Sequence, residues 1–253
     1  MRVWLGRGGV LIVVLAGFVL AGCGTSTSTS IPPTTTSSTS ATSPTTTLPS
    51  IAPYLALWPF RTVADVQSWQ QAYSSSGTNA WHLNSSTTAL NFAMDYLGFT
   101  EISAVVGTTT NGTGAHVSVG FHPTSSSSVT SAVVHLVRWG TGPDAPWEVV
   151  GTDDTTFSLT IPAYGATASS PLQVGGTITG VDENISVKVR QPSSSSAIGS
   201  YCCTPAGGTG SPWSATVSYA GATDPVLTIV AATGGHIQAV ERFTVTGVRF
   251  TAP

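Results

Sequence analysis

Ala115-His116-Val117-Ser118-Val119-Gly120-Phe121 is the stretch that decides the fold, because its apolar and polar side chains alternate. Val117, Val119 and Phe121 share one face of an extended chain, and His116 and Ser118 share the other. This period of two predicts a half-buried β-strand. Asn111-Gly112 lies just before it and is a strong hairpin signal, so we expect an antiparallel partner strand on the N-terminal side.

Further strand-like runs lie around this hairpin, and two helix-like patterns precede it. The runs cover residues 102–108, 131–139, 147–152 and 156–161. Thr62 and Asp65 predict a capped helix over residues 63–74. A second helix is predicted after Ser85 or Ser86 and before Gly98, with an apolar stripe at Leu90, Ala93, Met94 and Leu97. Residues 51–162 are therefore predicted to form an α+β domain, with two helices on one face of a curved antiparallel sheet.

The C-terminal part shows β-rich runs and lacks a helical stripe. These runs are residues 172–174, 185–189, 213–219, 226–231 and 243–250, and Gly, Pro and Asp separate them. Their spacing predicts a small all-β sandwich over residues 168–253.

An ordered series of short motifs in this region carries a family resemblance. The motifs are Ser170-Pro171-Leu172-Gln173-Val174-Gly175-Gly176, residues 183–190 and 212–217, the Gly234-Gly235 turn and the closing run 243–250. They resemble the immunoglobulin-like module of the bacterial spore germination type, which implies an adhesive or spacer role. The chain departs from that family in a predicted long loop, residues 191–211. The N-terminal half is similar to an uncharacterised domain of actinobacterial exported proteins around Trp58-Pro59-Phe60, Trp81-His82-Leu83 and Tyr96-Leu97-Gly98-Phe99.

The N-terminus contains a pattern that bears on where the protein is located. Arg2 and Arg7 precede an apolar run over residues 10–20, which leads into Leu20-Ala21-Gly22-Cys23. This pattern resembles a bacterial lipoprotein signal. The resemblance implies that residues 1–22 are removed and that Cys23 is lipidated by fatty acyl chains such as palmitate, which would hold the protein on the extracytoplasmic face of the cell membrane. Residues 23–50, almost wholly Ser and Thr with four prolines, are predicted to form a disordered linker.

The charge of the chain disfavours nucleic acid as a partner. Without Arg2 and Arg7, six basic residues stand against 11 acidic residues, a net charge of −5, and Lys188 is the only lysine. Nucleic-acid binding is disfavoured, because neutralising phosphates needs clustered Lys and Arg. The same negative charge gives no attraction to an anionic membrane surface, so lipid is the expected tether to the membrane.

Motifs for chemistry are missing from the sequence. It contains no Gly-x-Ser-x-Gly, Ser-x-x-Lys or His-Glu-x-x-His pattern. The five histidines lack the close spacing by which one helix or strand holds a metal; they are His82, His116, His122, His135 and His236. We therefore expect no catalytic residues, no metal and no cofactor.

Two pairs of residues are candidates for a special role. Once Cys23 is acylated, Cys202 and Cys203 have only each other, and they form either a vicinal disulfide or two reduced thiols. Trp81 and Trp147 each lie next to a predicted turn and are candidate binding aromatics.

These observations together favour a non-enzymatic, lipid-anchored protein of the bacterial envelope. It is expected to act as a binding, adhesion or scaffold module towards an envelope protein or a cell-wall glycan. The alternative is a carrier of a small apolar ligand, or an enzyme acting on one, with a cavity between the helices and the sheet. An exposed aromatic patch indicates the first function, and an enclosed apolar cavity indicates the second.

Overall fold

The predicted hairpin lies at the start of the first sheet. A computed structural model describes residues 50–123 and 127–251, and in it β1 (Ala104–Asn111) pairs antiparallel with β2 (Gly114–Phe121). Gly112 in the turn has φ 57°, which glycine adopts without strain. The predicted alternation is confirmed: Val117, Val119 and Phe121 are buried, whereas His116 and Ser118 are partly exposed.

Two further strands complete a four-stranded antiparallel sheet in the order β1-β2-β3-β4. They are β3 (Val129–Arg138) and β4 (Trp147–Thr152), close to their predicted bounds. The predicted strand over residues 156–161 is wrong. Its residues make only isolated bridges to β6 (Leu172–Arg190), because the N–H groups of Thr160 and Ile161 both donate to the Gly175 carbonyl and interrupt the ladder.

The first helix, α1 (Val63–Ser76), forms as predicted and extends two residues further. Asp65 N–H donates to Thr62 Oγ1 at 3.1 Å, and Thr62 N–H donates to Asp65 Oδ2 at 3.2 Å. This reciprocal pair is a capping box, which satisfies two backbone donors that the first turn of a helix leaves free.

The second helix, α2 (Ser85–Asn91), differs from the prediction in its cap and in its buried face. Asn84 caps it instead of a serine, since Thr87 N–H donates to Asn84 Oδ1 at 2.9 Å. A π-helical turn (Phe92–Tyr96) follows and adds one residue to a turn. The predicted stripe is only half correct: Ala93 and Leu97 are buried, but Leu90 and Met94 are only partly so. The buried face already lies one residue earlier in α2, at Thr88 and Ala89, and continues at Phe92 and Ala93. Gly98, with φ 78°, ends the segment as predicted.

A second sheet contains five strands in the order β5-β9-β8-β6-β7. Besides β6, they are β5 (Thr167–Ala168), β7 (Gly199–Val217), β8 (Val226–Thr233) and β9 (Arg242–Phe250). All neighbours are antiparallel except β5 and β9. The predicted runs 172–174 and 185–189 belong to the single long strand β6. The predicted loop 191–211 is wrong beyond residue 198, because β7 begins at Gly199 and places Cys202 and Cys203 in a strand.

The fold is thus mostly β, with two helices and antiparallel sheets, and belongs to the α+β class. One core joins α2 and the first sheet to Val230 and Ala232 of β8 and to Phe243 and Val245 of β9. The described residues, 50–123 and 127–251, belong to one compact unit, and the division into domains near residues 162–168 stays a prediction. Over the described ranges, none of the helices combines the length and the hydropathy that crossing a membrane requires. The predicted signal peptide, the lipidated Cys23 and nearly all of the linker lie outside the described residues.

Candidate functional site

A cleft opens to solvent where β4 of the first sheet meets β9 of the second. The Thr152 side chain joins the two strands: its Oγ1 accepts the N–H of Val245 at 2.9 Å and lies 3.1 Å from Thr244 Oγ1. Beside this junction the cleft encloses about 450 Å³. This volume is within the range of small-ligand sites, and such sites favour junctions between packed units.

Two tyrosine rings line the cleft and are unusually exposed. Tyr54 precedes α1 and is 38% exposed, and Tyr164 precedes β5 and is 43% exposed. Leu55 N–H donates to Tyr164 Oη at 2.6 Å, which fixes the second ring against the segment that carries the first. Burial of this hydroxyl raises the pKa of Tyr164. The cleft therefore presents a pair of aromatic rings, one of them held in place by a backbone hydrogen bond.

A histidine pair supports one wall. His116 and His135 oppose each other in the register of β2 and β3, and their rings stack with centroids 4.5 Å apart and an interplanar angle of 12°. The Tyr54 ring lies edge-on to His135, with centroids 5.3 Å apart. A 2.6 Å hydrogen bond joins His116 Nδ1 to Asp153 Oδ2. His135 lines the cleft, and its contacts fix its ring on two sides.

The protonation state of His135 follows from this packing. Burial is the largest influence and lowers its pKa, the neighbouring His116 lowers it further, and Asp153 opposes both. At neutral pH the ring is therefore uncharged, with one nitrogen that donates and one that accepts a hydrogen bond.

The remaining lining combines polar groups with the apolar side chains Val150, Leu159, Ala163 and Val245. Asp154 is exposed, and hydroxyl groups come from Thr152, Thr160, Thr244 and Thr246. Within the described part of the chain, no Lys or Arg lines the cleft. This arrangement can hold a neutral polar ligand against aromatic rings. Arg249, whose charge acts on the Tyr164 hydroxyl, lies outside the described lining.

The two predicted aromatic candidates have different surroundings. Trp81 is partly exposed and stacks on Trp58, with centroids 5.4 Å apart and an interplanar angle of 20°. Trp147 is only 4% exposed, with the Arg138 guanidinium 4.6 Å from its ring centroid. The expectation that Trp147 lies exposed beside a turn is wrong, because it begins β4, whose first five residues are all buried. Neither tryptophan lines the cleft.

Cys202 and Cys203 form a disulfide in the structure and occupy an irregularity of β7. Ile185 pairs with Thr204 and Val187 with Tyr201, so the two cysteines together face a single residue of β6. This is the arrangement of a β-bulge. The pair lies outside the cleft lining and has a structural position in the long hairpin.

The space between α2 and the first sheet, where the carrier alternative expects a cavity, is filled by side chains. They include Phe92, Ala93, Tyr96 and Leu97 of the helical segment, which share one core with β2, β3 and β4. Among residues 50–123 and 127–251, no three His, Cys, Asp or Glu side chains are placed to hold a metal ion.

Sequence reasoning missed the cleft and the histidine pair. Alternation in β2 indicated that His116 lies on the polar face, but the register of β3, which brings His135 beside it, has no local signal. Tyr54 and Tyr164 lie in segments without periodicity, so their exposure could not be recognised.

Comparison with known proteins adds no relative to this description. No family model matches the chain, and neither a curated protein nor a solved structure matches it significantly.

Proposed function

We propose that this chain is a lipid-anchored, non-enzymatic binding protein of the bacterial envelope, and that it holds an envelope ligand in the cleft between β4 and β9. The observation that carries the proposal is the pair of exposed rings, Tyr54 and Tyr164, that line this open cleft. Exposed aromatic side chains at a concave site are typical of recognition, because they contribute a large contact area with little loss of side-chain freedom. The ligand is an envelope protein or a cell-wall glycan.

The anchor is supported by the sequence. Leu20-Ala21-Gly22-Cys23 after an apolar run resembles a lipoprotein signal, and two or more acyl chains on Cys23 are sufficient for stable membrane attachment. The Ser/Thr/Pro segment that follows spans up to about 80 Å if it is extended in polyproline geometry. Such a tether presents the folded part at a distance from the membrane, within reach of wall polymers and of other envelope proteins.

We further propose that the C-terminal part is an immunoglobulin-like module of the bacterial spore germination type. Two portions of β6 support this: Leu172, Val174 and Ile178 near its start and Ile185, Val187 and Val189 near its end belong to the same core. Residues from β7, β8 and β9 complete that core. The pairing register of β6 with β7 shifts between Ile178 and Glu183, and a strand that bends at such an irregularity can contribute to both layers of a β-sandwich. The module serves as a spacer that carries one side of the cleft.

A binding role without catalysis agrees with the hydrogen bonds at the cleft. Among the described residues, no Ser, Thr or Cys side chain is hydrogen-bonded to His116 or His135. The Thr152 hydroxyl, which lines the cleft, is bonded to the backbone N–H of Val245 and is not activated by a base. A nucleophile next to a base, which covalent catalysis needs, is therefore lacking in this arrangement.

Two measurements test the proposal. Mass spectrometry of the native protein should find an N-terminal acylated cysteine at position 23, and Cys23→Ala should release the protein from the membrane fraction. Retention on isolated envelope fractions should fall in Tyr54→Ala and stay unchanged in the control Ile237→Ala, whose side chain is 61% exposed and lies outside the cleft lining. An unprocessed N-terminus without lipid, or no retention on any fraction, would refute the proposed function.

A further inference from the structure

We infer that the ligand of the cleft is a neutral, hydroxyl-rich glycan chain. This inference rests on the proposed function, and it chooses between the two envelope ligands named there. Three features of the described residues carry it: the two aromatic faces, the neutral hydrogen-bonding groups and the sign of the charge.

Tyr54 and Tyr164 present ring faces that suit sugar rings. A sugar ring has an apolar face made of C–H groups and a polar edge made of hydroxyls. An exposed tyrosine ring matches that face, because its body is apolar and its tip is polar. Tyr164 is fixed by Leu55 at 2.6 Å, and Tyr54 lies against His135 with centroids 5.3 Å apart, so ligand binding needs little ordering of either ring.

The cleft also presents groups that both donate and accept hydrogen bonds. The Thr160 hydroxyl is at an exposed position of the lining, and His135 is uncharged at neutral pH. Hydroxyl and neutral imidazole groups each offer a donor and an acceptor, and sugar hydroxyls need both. A few such groups beside aromatic rings are the composition expected of a site that orients a neutral polar molecule.

The charge at the cleft disfavours anionic ligands. Asp154 lines the cleft and Asp153 adjoins it in sequence, whereas Lys and Arg are missing from the lining in the described ranges. The chain as a whole has a net charge of −3. Asp154 disfavours an acidic polysaccharide or a phosphate-bearing chain by repulsion, which salt weakens because this side chain is exposed. Arg249, whose charge acts on the Tyr164 hydroxyl, lies outside the lining.

The shape disfavours a folded protein partner. A standard protein interface covers roughly 800 Å² on each partner, with an apolar centre. Of the exposed large apolar and aromatic side chains, Tyr54 and Tyr164 line the cleft, whereas Val105, Val181 and Ile237 do not, so exposed groups that could form such a centre are limited there to two rings. A concave site of about 450 Å³ suits a short section of a slender chain.

The test uses the full chain and chitotetraose, a soluble uncharged chain of four N-acetylglucosamine units, in isothermal titration calorimetry. The matched anionic probe is a hyaluronan tetrasaccharide, which contains the same amino sugar alternating with a carboxylated one. We expect saturable binding of chitotetraose and about tenfold weaker binding of the anionic probe. Tyr54→Ala should weaken chitotetraose binding about tenfold, and Thr160→Trp, which places a large ring in the cleft from an exposed position, should abolish it. Ile237→Ala should bind as the unmodified protein does.

The outcomes separate this inference from the proposed function. Retention on envelope fractions that disappears when those fractions are treated with protease would identify a protein partner and overturn the inference alone. Equal affinity of Tyr54→Ala, Thr160→Trp and the unmodified protein for chitotetraose would place the glycan outside the cleft and overturn it as well. No binding of chitotetraose, together with retention that resists protease and depends on Tyr54, would also overturn the inference and leave the proposed function standing. Loss of all retention would refute the proposed function itself.

Discussion

His82 should make the stability of the fold depend on pH between about 4 and 6.5. Its side chain is 5% exposed and packs between aromatic rings, with centroids 4.8 Å from Phe60 and 5.1 Å from Trp69. Its Nδ1 is buried and finds no hydrogen-bond partner among the residues that the structure describes. Burial lowers the pKa of His82 from 6.5 to about 4. The charged form is thus much less favourable in the folded state than in the unfolded state.

The direction of the pH dependence follows from the lower pKa of His82 in the folded state. As the pH falls below 6.5, the unfolded chain binds a proton at His82 before the folded chain does, so the free energy of unfolding decreases. Below about 4 both states are protonated, and the loss stays constant. The full difference corresponds to about 3.4 kcal/mol, of which about 2 kcal/mol develops between pH 7 and pH 5.

The assay compares urea unfolding at pH 7 and pH 5 in the unmodified protein, in His82→Leu and in the control Ile237→Ala, whose side chain is 61% exposed and does not titrate. Leucine keeps an apolar side chain of similar size among the rings and cannot titrate. We expect His82→Leu to lose about 2 kcal/mol less between pH 7 and pH 5 than the unmodified protein, and Ile237→Ala to follow the unmodified protein. The same pH dependence in all three would refute the reasoning, since the variant differs from the unmodified protein in the titrating group.

Three other predictions concern buried or paired groups. Glu148 is fully buried, its Oε2 accepts the N–H of Phe60 at 3.1 Å, and burial raises its pKa well above 4.5. As the pH rises above 4.5, the unfolded chain therefore ionises at this residue before the folded chain does, and the free energy of unfolding decreases. In urea unfolding, Glu148→Gln should be more stable than the unmodified protein at pH 7, by an amount that grows with pH by up to about 1.4 kcal/mol per pH unit. Burial would raise the pKa of Glu241, but the backbone N–H groups of residues 236–238, which donate to its Oε1, outweigh burial and lower it. Glu241→Gln should therefore be about 1 kcal/mol less stable at pH 7, with a difference that shrinks as the pH falls below 4.5, and an unchanged difference at pH 3 would contradict this. Thiol titration of the unfolded, non-reduced Cys23→Ala protein should find no free thiol, because Cys202 and Cys203 are bonded to each other, and two free thiols would contradict the disulfide.

Local chemistry in the sequence predicted local structure well. The Thr62 and Asp65 capping box and the Asn111-Gly112 turn each depend on a few neighbouring residues, and both form as expected. Gly98 ends its helical segment for the same reason. Such features are readable because the hydrogen bonds or the backbone conformation that they require involve residues close in the sequence.

Features that depend on tertiary packing were not readable. The buried face of the second helical segment begins one residue before the predicted stripe, at Ala89 instead of Leu90, and includes Phe92 and Tyr96. Helical spacing alone did not separate these two faces, because both carry apolar residues. Trp147 lies beside turn-forming residues in the sequence, yet it is buried because β4 is covered by other parts of the fold. The length of β6 and β7 was also hidden, since Gly, Pro and Cys residues in a paired strand read locally as a loop.

The histidine pair shows why the candidate site follows from the core although the sequence does not display it. In the antiparallel register, Val117 faces Val134 and the adjacent His116 faces His135. A slip of one residue would turn every side chain of the strand to the opposite face, so the pairing that buries the valines also sets the imidazole rings together on the other face. The free energy that holds this register comes from apolar burial, because Val117 and Val134 are both fully buried. The wall of the cleft formed by His135 is therefore held by the hydrophobic core and needs no stabilisation from a ligand.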